Sequence, residues 1–214
     1  EVTLPGSGSS GEIIQLISHK DSMSWINSPG AHDNAVGTVA NMELVRVLSA
    51  LPRQRTVRVL FCNEEHTPWH SASAANAARE RGDNIIAVLN QDSLDGKSDA
   101  DFAANRKTHY AIYSTPEGQT LAELMPRTAQ RYQLPLEVFC APKKSINDDD
   151  GNFIKAGYRR TIMNLGSYPY SDEQYHLPGD IPERVDLENL RLSTQLLLAA
   201  VLDIDEQGES IFAG

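Results

Sequence analysis

Apolar positions along the chain switch between two periods. The run Ile13-Ile14-Gln15-Leu16-Ile17 follows a Gly/Ser stretch over residues 6–11 and is short and nearly continuous, the pattern of a buried strand. Ala40, Leu44, Val47, Leu48 and Leu51 then recur at helical spacing, and Pro52 closes that helix. Strands and helices alternate from there. Thr56–Cys62 is β-branched and apolar, hence a strand; Ser71–Arg81 is Ala-rich and helical, stopped by Gly82; Ile85–Leu89 is again a strand. Thr108–Ser114 reads as a strand and Pro116–Tyr132 as a helix with proline in its first turn. Leu136–Phe139 and Thr161–Leu165 are short strands. A last helix over Leu187–Leu202 places Leu187, Leu190, Leu197, Leu198 and Val201 on one face. The stretch Lys143–Gly157, with Asp148-Asp149-Asp150-Gly151, is expected to be an irregular, mobile loop. This alternation predicts an α/β fold, a largely parallel sheet covered on both sides.

The length, 214 residues, suits one domain over 1–214. The formal charge of −10 argues against binding nucleic acid or anionic membranes, because phosphate would be repelled. No apolar run approaches the ~20 residues of a membrane span; the longest, Leu196–Leu202, is far shorter. The chain begins at Glu1 rather than Met and shows no leader pattern, so a trimmed or mature fragment is expected. Cys62 and Cys140 make no disulfide framework. Both follow apolar runs and are expected as two buried thiols, with a bridge between them as the alternative.

Candidate chemistry collects where an open α/β sheet binds its ligands, beyond the carboxyl ends of strands. The first strand is followed by Ser18-His19-Lys20-Asp21, the Thr56 strand by Asn63-Glu64-Glu65-His66, and the Ile85 strand by Asn90-Gln91-Asp92-Ser93. Gly30-Ala31-His32-Asp33-Asn34-Ala35-Val36-Gly37 precedes the first helix, and Tyr175-His176 follows the Thr161 strand. Taken singly, each has an ordinary reading: a loop histidine, a helix cap at Asp33-Asn34, or exposed charges at Glu64-Glu65. Together they form a set of imidazoles and carboxylates that suits Zn²⁺, with Mn²⁺ or Co²⁺ as substitutes. A donor set with several carboxylates and no cysteine is more typical of catalytic than of structural zinc.

In order and spacing these residues resemble the co-catalytic di-zinc exopeptidases of the bacterial leucyl aminopeptidase type, whose relatives include glutamate carboxypeptidase and glutaminyl cyclase. The motifs that carry the resemblance are His19-Lys20-Asp21, Gly30 to Gly37, Glu64-Glu65, Asp92 and Tyr175-His176. The resemblance implies a three-layer αβα fold with a mostly parallel mixed central sheet. It implies two Zn²⁺ ions, His19 and Asp92 on one, Glu65 and His176 on the other, with Asp33 bridging. Asp21 would orient His19. Glu64 would be the general base toward a metal-bridging hydroxide, its side chain diverging from that of its neighbour Glu65. The implied substrate is a peptide or aminoacyl compound with a free N-terminus, for whose amine Asp148, Asp149 or Asp150 is a candidate contact. A secreted or periplasmic location follows from the resemblance alone.

The chain departs from the pattern in three places. His32 stands where the family has the first Asp of Asp-Asp-Asn, Asp148-Asp149-Asp150 where it has Ser-Asp-His, and Asp92 is followed by Ser93-Leu94-Asp95-Gly96 rather than Met-Ile-Gly. Two other readings stay open: a mono-zinc glutaminyl cyclase-like acyltransferase, and a non-catalytic binding relative.

Overall fold

The computed structural model describes residues 1–22, 24–63 and 68–213. Its centre is a seven-stranded sheet in the order β1-β3-β2-β4-β7-β5-β6. The strands are β1 (Val2–Leu4), β2 (Glu12–His19), β3 (Thr56–Cys62), β4 (Asn84–Gln91), β5 (Thr108–Tyr113), β6 (Glu137–Pro142) and β7 (Thr161–Leu165). β2 pairs in parallel with β3 and β4, β4 with β7, and β5 with β6. β1 against β3 and β5 against β7 are antiparallel, so the sheet is mixed but mostly parallel, as expected.

The near-continuous apolar character of β2 has a direct cause. It lies between two neighbours and under helices on both faces, so Ile14, Leu16 and Ile17 are wholly buried. Ile14 and Leu16 face a core shared with α1 (Val36–Ser49), α4 (Pro116–Arg131) and α6 (Leu187–Gln207). Ile17 faces the other core, shared with Leu60, Cys62, Val88, Ala75 of α2 (His70–Arg81) and Phe153 of α5 (Asp148–Lys155). α3 (Asp99–Ala103) is a single short turn after β4.

Helix ends follow the local chemistry. The Thr115 hydroxyl accepts from the Gly118 N–H at 2.9 Å to start α4, and Gly82, left-handed at φ 72°, ends α2. The Asp186 carboxylate caps α6 through the Glu188 and Asn189 N–H groups.

Three expectations are corrected. The stretch 143–157 holds α5 rather than an irregular loop. Its three aspartates sit in the first turn, where the helix dipole favours negative charge, and Phe153 and Ile154 are buried beneath it. Cys62 is buried on β3, but Cys140 is exposed on the edge strand β6; both are free thiols and no bridge joins them. Leu187 is 74% exposed, because it is the first residue of α6 and precedes the helix's contact with the sheet.

His109 of β5 gives the fold a sensitivity to acid. It is fully buried, with Nε2 donating to Asn164 Oδ1 of β7 at 3.1 Å and Nδ1 without a partner among the described residues. Burial lowers its pKa from 6.5 to about 4, the Asn164 bond opposing only in part. The folded state therefore resists a proton that the unfolded chain accepts near pH 6.5. The stability His109 contributes is complete above pH 6.5 and is lost as pH falls toward 4, a few kcal/mol at about 1.4 kcal/mol per unit. Glutamine keeps a donor near the Nε2 position and cannot titrate. The urea midpoint of His109→Gln is expected to fall less between pH 7.5 and 5 than that of the unchanged chain. Equal falls would refute the assignment.

Candidate metal centre

β3 and β4 flank β2 on opposite sides, so the chain crosses over at the carboxyl end of β2 and leaves a crevice there, the usual place for a ligand in an open sheet. His19 is the last residue of β2, and Asp92 follows the last residue of β4. Asp33 comes from the turn before α1, and His176 from the connection between β7 and α6.

These four converge. His19 Nε2 lies 3.1 Å from Asp33 Oδ1 and 3.5 Å from Asp92 Oδ1, and the ligand atoms of the three residues all lie within 4.8 Å of one another. His176 Nε2 lies 2.9 Å from the other oxygen of the same carboxylate, Asp33 Oδ2. Each Asp33 oxygen thus faces a different imidazole. Ligands about 2.1 Å from one tetrahedral ion stand about 3.4 Å apart. The spacings around His19 match that value. His19 Nε2 is buried and makes no hydrogen bond among the described residues, as a ligand atom directed at a common point would. The donor set therefore fits a divalent cation of the zinc class.

The electrostatics agree. Burial opposes a proton on His19, but the Asp92 charge and the Asp33 contact outweigh it and push its pKa up to about 12. Burial likewise opposes ionisation of Asp33, yet His176 and His19 hold it down at about 2. A strong negative potential is focused on the crevice.

Neighbouring residues fix these side chains in place. His19 Nδ1 is 3.1 Å from the Asp21 backbone oxygen and 3.9 Å from Asp21 Oδ1, so Asp21 orients His19 chiefly through its carbonyl. Asn34 Nδ2 donates to the Gln91 carbonyl at 2.8 Å, and its Oδ1 accepts from the N–H groups of Gly37 (3.0 Å) and Ser93 (3.1 Å). The Asp33 turn is thereby pinned to the end of β4. Gly37 is required there, since a Cβ would run into the Asn34 side chain and the Gln91 carbonyl. The Asp33–Asn34 peptide is cis. Tyr175 stacks on the His176 ring at 3.9 Å, and Ser24 Oγ donates to the His176 carbonyl at 3.0 Å.

A cavity of about 190 Å³ opens beside the cluster. Asp33, Asp92, Asp148, Met163, Leu165 and Tyr170 are among the residues that line it. Asp148 heads α5 with φ 75°, and Asp149 and Asp150 are buried behind it, Asp150 paired with Lys143 Nζ at 3.0 Å. Burial and then the Asp92 charge raise Asp148 to about 7.

His19, Asp21, Asp33, Asp92 and His176 are thus brought together. Glu64 and Glu65 lie outside the described residues. Missed from the sequence was a second buried cluster beside the first, His32 with Asp172 and Asp180. Burial opposes charge on His32, but hydrogen bonds to Asp172 and Asp95 hold its pKa at about 9. Its one sequence cue was histidine in place of the motif's aspartate.

Residues 2–201 match the family described as Peptidase family M28. A leucine aminopeptidase 1 of Sclerotinia sclerotiorum is 23% identical over 94% of this chain and 54% of its own length. LapB of Legionella pneumophila superposes with a TM-score of 0.79 at 21% identity, over 91% of this chain and 52% of the other. A zinc aminopeptidase of Bacillus subtilis does so with a TM-score of 0.72 at 20% identity, over 94% and 48%. The chain spans about half the length of these proteins.

Proposed function

The chain belongs to peptidase family M28, and from its site we propose a zinc-dependent aminopeptidase that removes the N-terminal residue of peptides with a free amine. The observation that carries the proposal is the pair of imidazoles on opposite oxygens of Asp33, with Asp92 beside the first. That arrangement supports two ions: His19 and Asp92 holding one, His176 with Glu65 the other, and Asp33 shared.

Zinc bound there supplies Lewis acidity, lowering the pKa of water and polarising a carbonyl. The protein's part is to orient and to move protons. Asp21 and the Asn34 pin keep His19 and Asp33 facing the crevice. Glu64 takes a proton from water and returns it to the leaving amine. Met163, Leu165 and Tyr170 offer an apolar wall to the substrate's first side chain and exclude water beside the scissile bond. Asp148, on the cavity wall with Asp33 and Asp92, faces the substrate's ammonium.

Purified protein with zinc, assayed on aminoacyl-nitroanilides and their N-acetylated counterparts, tests the proposal. Cleavage of the free-amine compounds alone is the expected result. Equal cleavage of the acetylated compounds, or none of either in zinc-loaded protein, would count against it. Metal content near one ion per chain together with cyclisation of an N-terminal glutamine would favour the acyltransferase reading. Asp148→Asn is expected to raise KM for free-amine substrates about tenfold, close to 1.4 kcal/mol, with a smaller change in kcat, because one charge-assisted contact weakens. An unchanged KM would remove Asp148 from the amine site.

A further inference from the structure

His32 is 2% exposed and surrounded by buried carboxylates. Its Nδ1 is 2.6 Å from Asp172 Oδ2 and 3.9 Å from Asp180 Oδ1, and its Nε2 is 3.6 Å from Asp95 Oδ2. The 2.6 Å separation distinguishes two readings of this cluster. Two ligands of one ion would stand about 3.4 Å apart, so a proton rather than a metal lies between His32 and Asp172. The group is a hydrogen-bonded network, and its partners show what it joins.

Asp172 and Asp180 both belong to the connection between β7 and α6, the segment that carries His176. Asp180 reaches across to the Asp33 turn, accepting from the His32 N–H at 2.7 Å on Oδ1 and the Asp33 N–H at 3.2 Å on Oδ2. Its backbone carbonyl takes the Ala31 N–H at 3.2 Å. Asp172 is itself fixed by the Gln174 N–H at 2.8 Å and faces Arg184 at 3.5 Å. Asp95 is held by Lys97 at 3.3 Å and by the Asp186 N–H. The partners of His32 are therefore held in place, and His32 is the side chain that ties one ligand-bearing segment to the other.

We propose that His32 is a positioning residue that latches the Asp33 turn to the His176 segment, setting the spacing of the two ligands and so the affinity for the ion they share. The proposal rests on the zinc reading above. Its consequence is specific to one of two ions. His19 ends β2 and Asp92 directly follows the neighbouring β4, so both hold their place without the latch, whereas His176 reaches Asp33 only if the two loops stay together.

The test is competition between apo-protein and a chromogenic chelator for zinc. In His32→Ala one of the two zinc affinities is expected to fall about 10- to 100-fold, the range for residues that orient ligands. His32→Asp, with the motif's usual residue, should lose affinity too, because it sets a further carboxylate against Asp172 and Asp95. His32→Asn should recover most of the loss, since its amide N–H falls near the position of Nδ1–H. A His32→Ala chain with unchanged circular dichroism and wild-type affinities would overturn the latch. Should His32→Ala not fold, Asp172→Asn weakens the same bond, and wild-type affinity there would overturn it equally. A second readout needs no metal: amide hydrogen exchange across residues 166–186 of the apo-protein should quicken in the variants, and unchanged exchange sinks the latch. Unaltered protein that takes up no zinc would refute the functional reading, and the exchange result would then decide the latch by itself.

Discussion

Asp33→Asn is expected to strip tight zinc binding from the protein and activity with it. The carboxylate places one oxygen 3.1 Å from His19 Nε2 and the other 2.9 Å from His176 Nε2. Asparagine keeps the shape but turns one of those oxygens into an N–H₂ donor and removes the negative charge. A donor in that position occupies the lone pair of whichever imidazole it faces, so one ion loses two ligands at once. Residues that merely orient ligands cost 10- to 100-fold in affinity when changed; a shared direct ligand should exceed that, at least about 100-fold. Elemental analysis after dialysis against a fixed zinc concentration checks it. Two ions per chain in Asp33→Asn, with activity intact, would remove the shared carboxylate from the proposal.

Much of the fold was legible because burial leaves a simple mark. β2 and β4 are covered on both faces, so their apolar runs are nearly unbroken; α1 and α6 are covered on one, so theirs repeat at helical spacing. Residues at helix ends set the remaining boundaries, as Gly82 and Pro116 show. The misses have physical causes. α5 looks like a loop because three aspartates and Gly151 are poor helix formers, and the apolar residues that anchor it number only two. β1 is three residues long, too short for any period to appear. Cys140 follows an apolar run, but that run lies at the sheet's edge, where one side of the strand has no neighbour.

The site divides in the same way. His19, Asp33 and Asp92 could be found because each sits at a strand end or just before a helix, positions that local pattern marks; His176, in the middle of the connection between β7 and α6, was found only through the Tyr175-His176 motif. What holds them could not. His32 meets Asp172 across 140 residues, and Asn34 meets Gln91 across 57. Such bonds depend on which strands become neighbours, and no spacing along the chain encodes that. Asp21 is an intermediate case: its place near His19 was evident, but it acts mainly through a backbone oxygen that any residue possesses.

The two adjacent acids should separate chemistry from metal binding. Glu64→Gln is expected to lower kcat by roughly 10²- to 10⁴-fold, the usual contribution of a positioned general base, while zinc content stays unchanged. Glu65→Gln should instead release zinc from the His176 side, and activity should fall with occupancy. The contrast follows from the two proposed roles, Glu64 as the base and Glu65 as a ligand. Glutamine keeps the length and the hydrogen-bonding shape of glutamate but cannot accept a proton, so a loss confined to kcat isolates proton transfer from binding. The acid limb of the pH–rate profile should disappear with Glu64→Gln, because no carboxylate remains there to be protonated out of its basic form. Full activity in Glu64→Gln would assign the base elsewhere. The nearest candidate would then be Asp148, which shares the cavity with Asp33 and Asp92 and whose pKa of about 7, raised by burial, suits a group that gives and takes protons near neutrality.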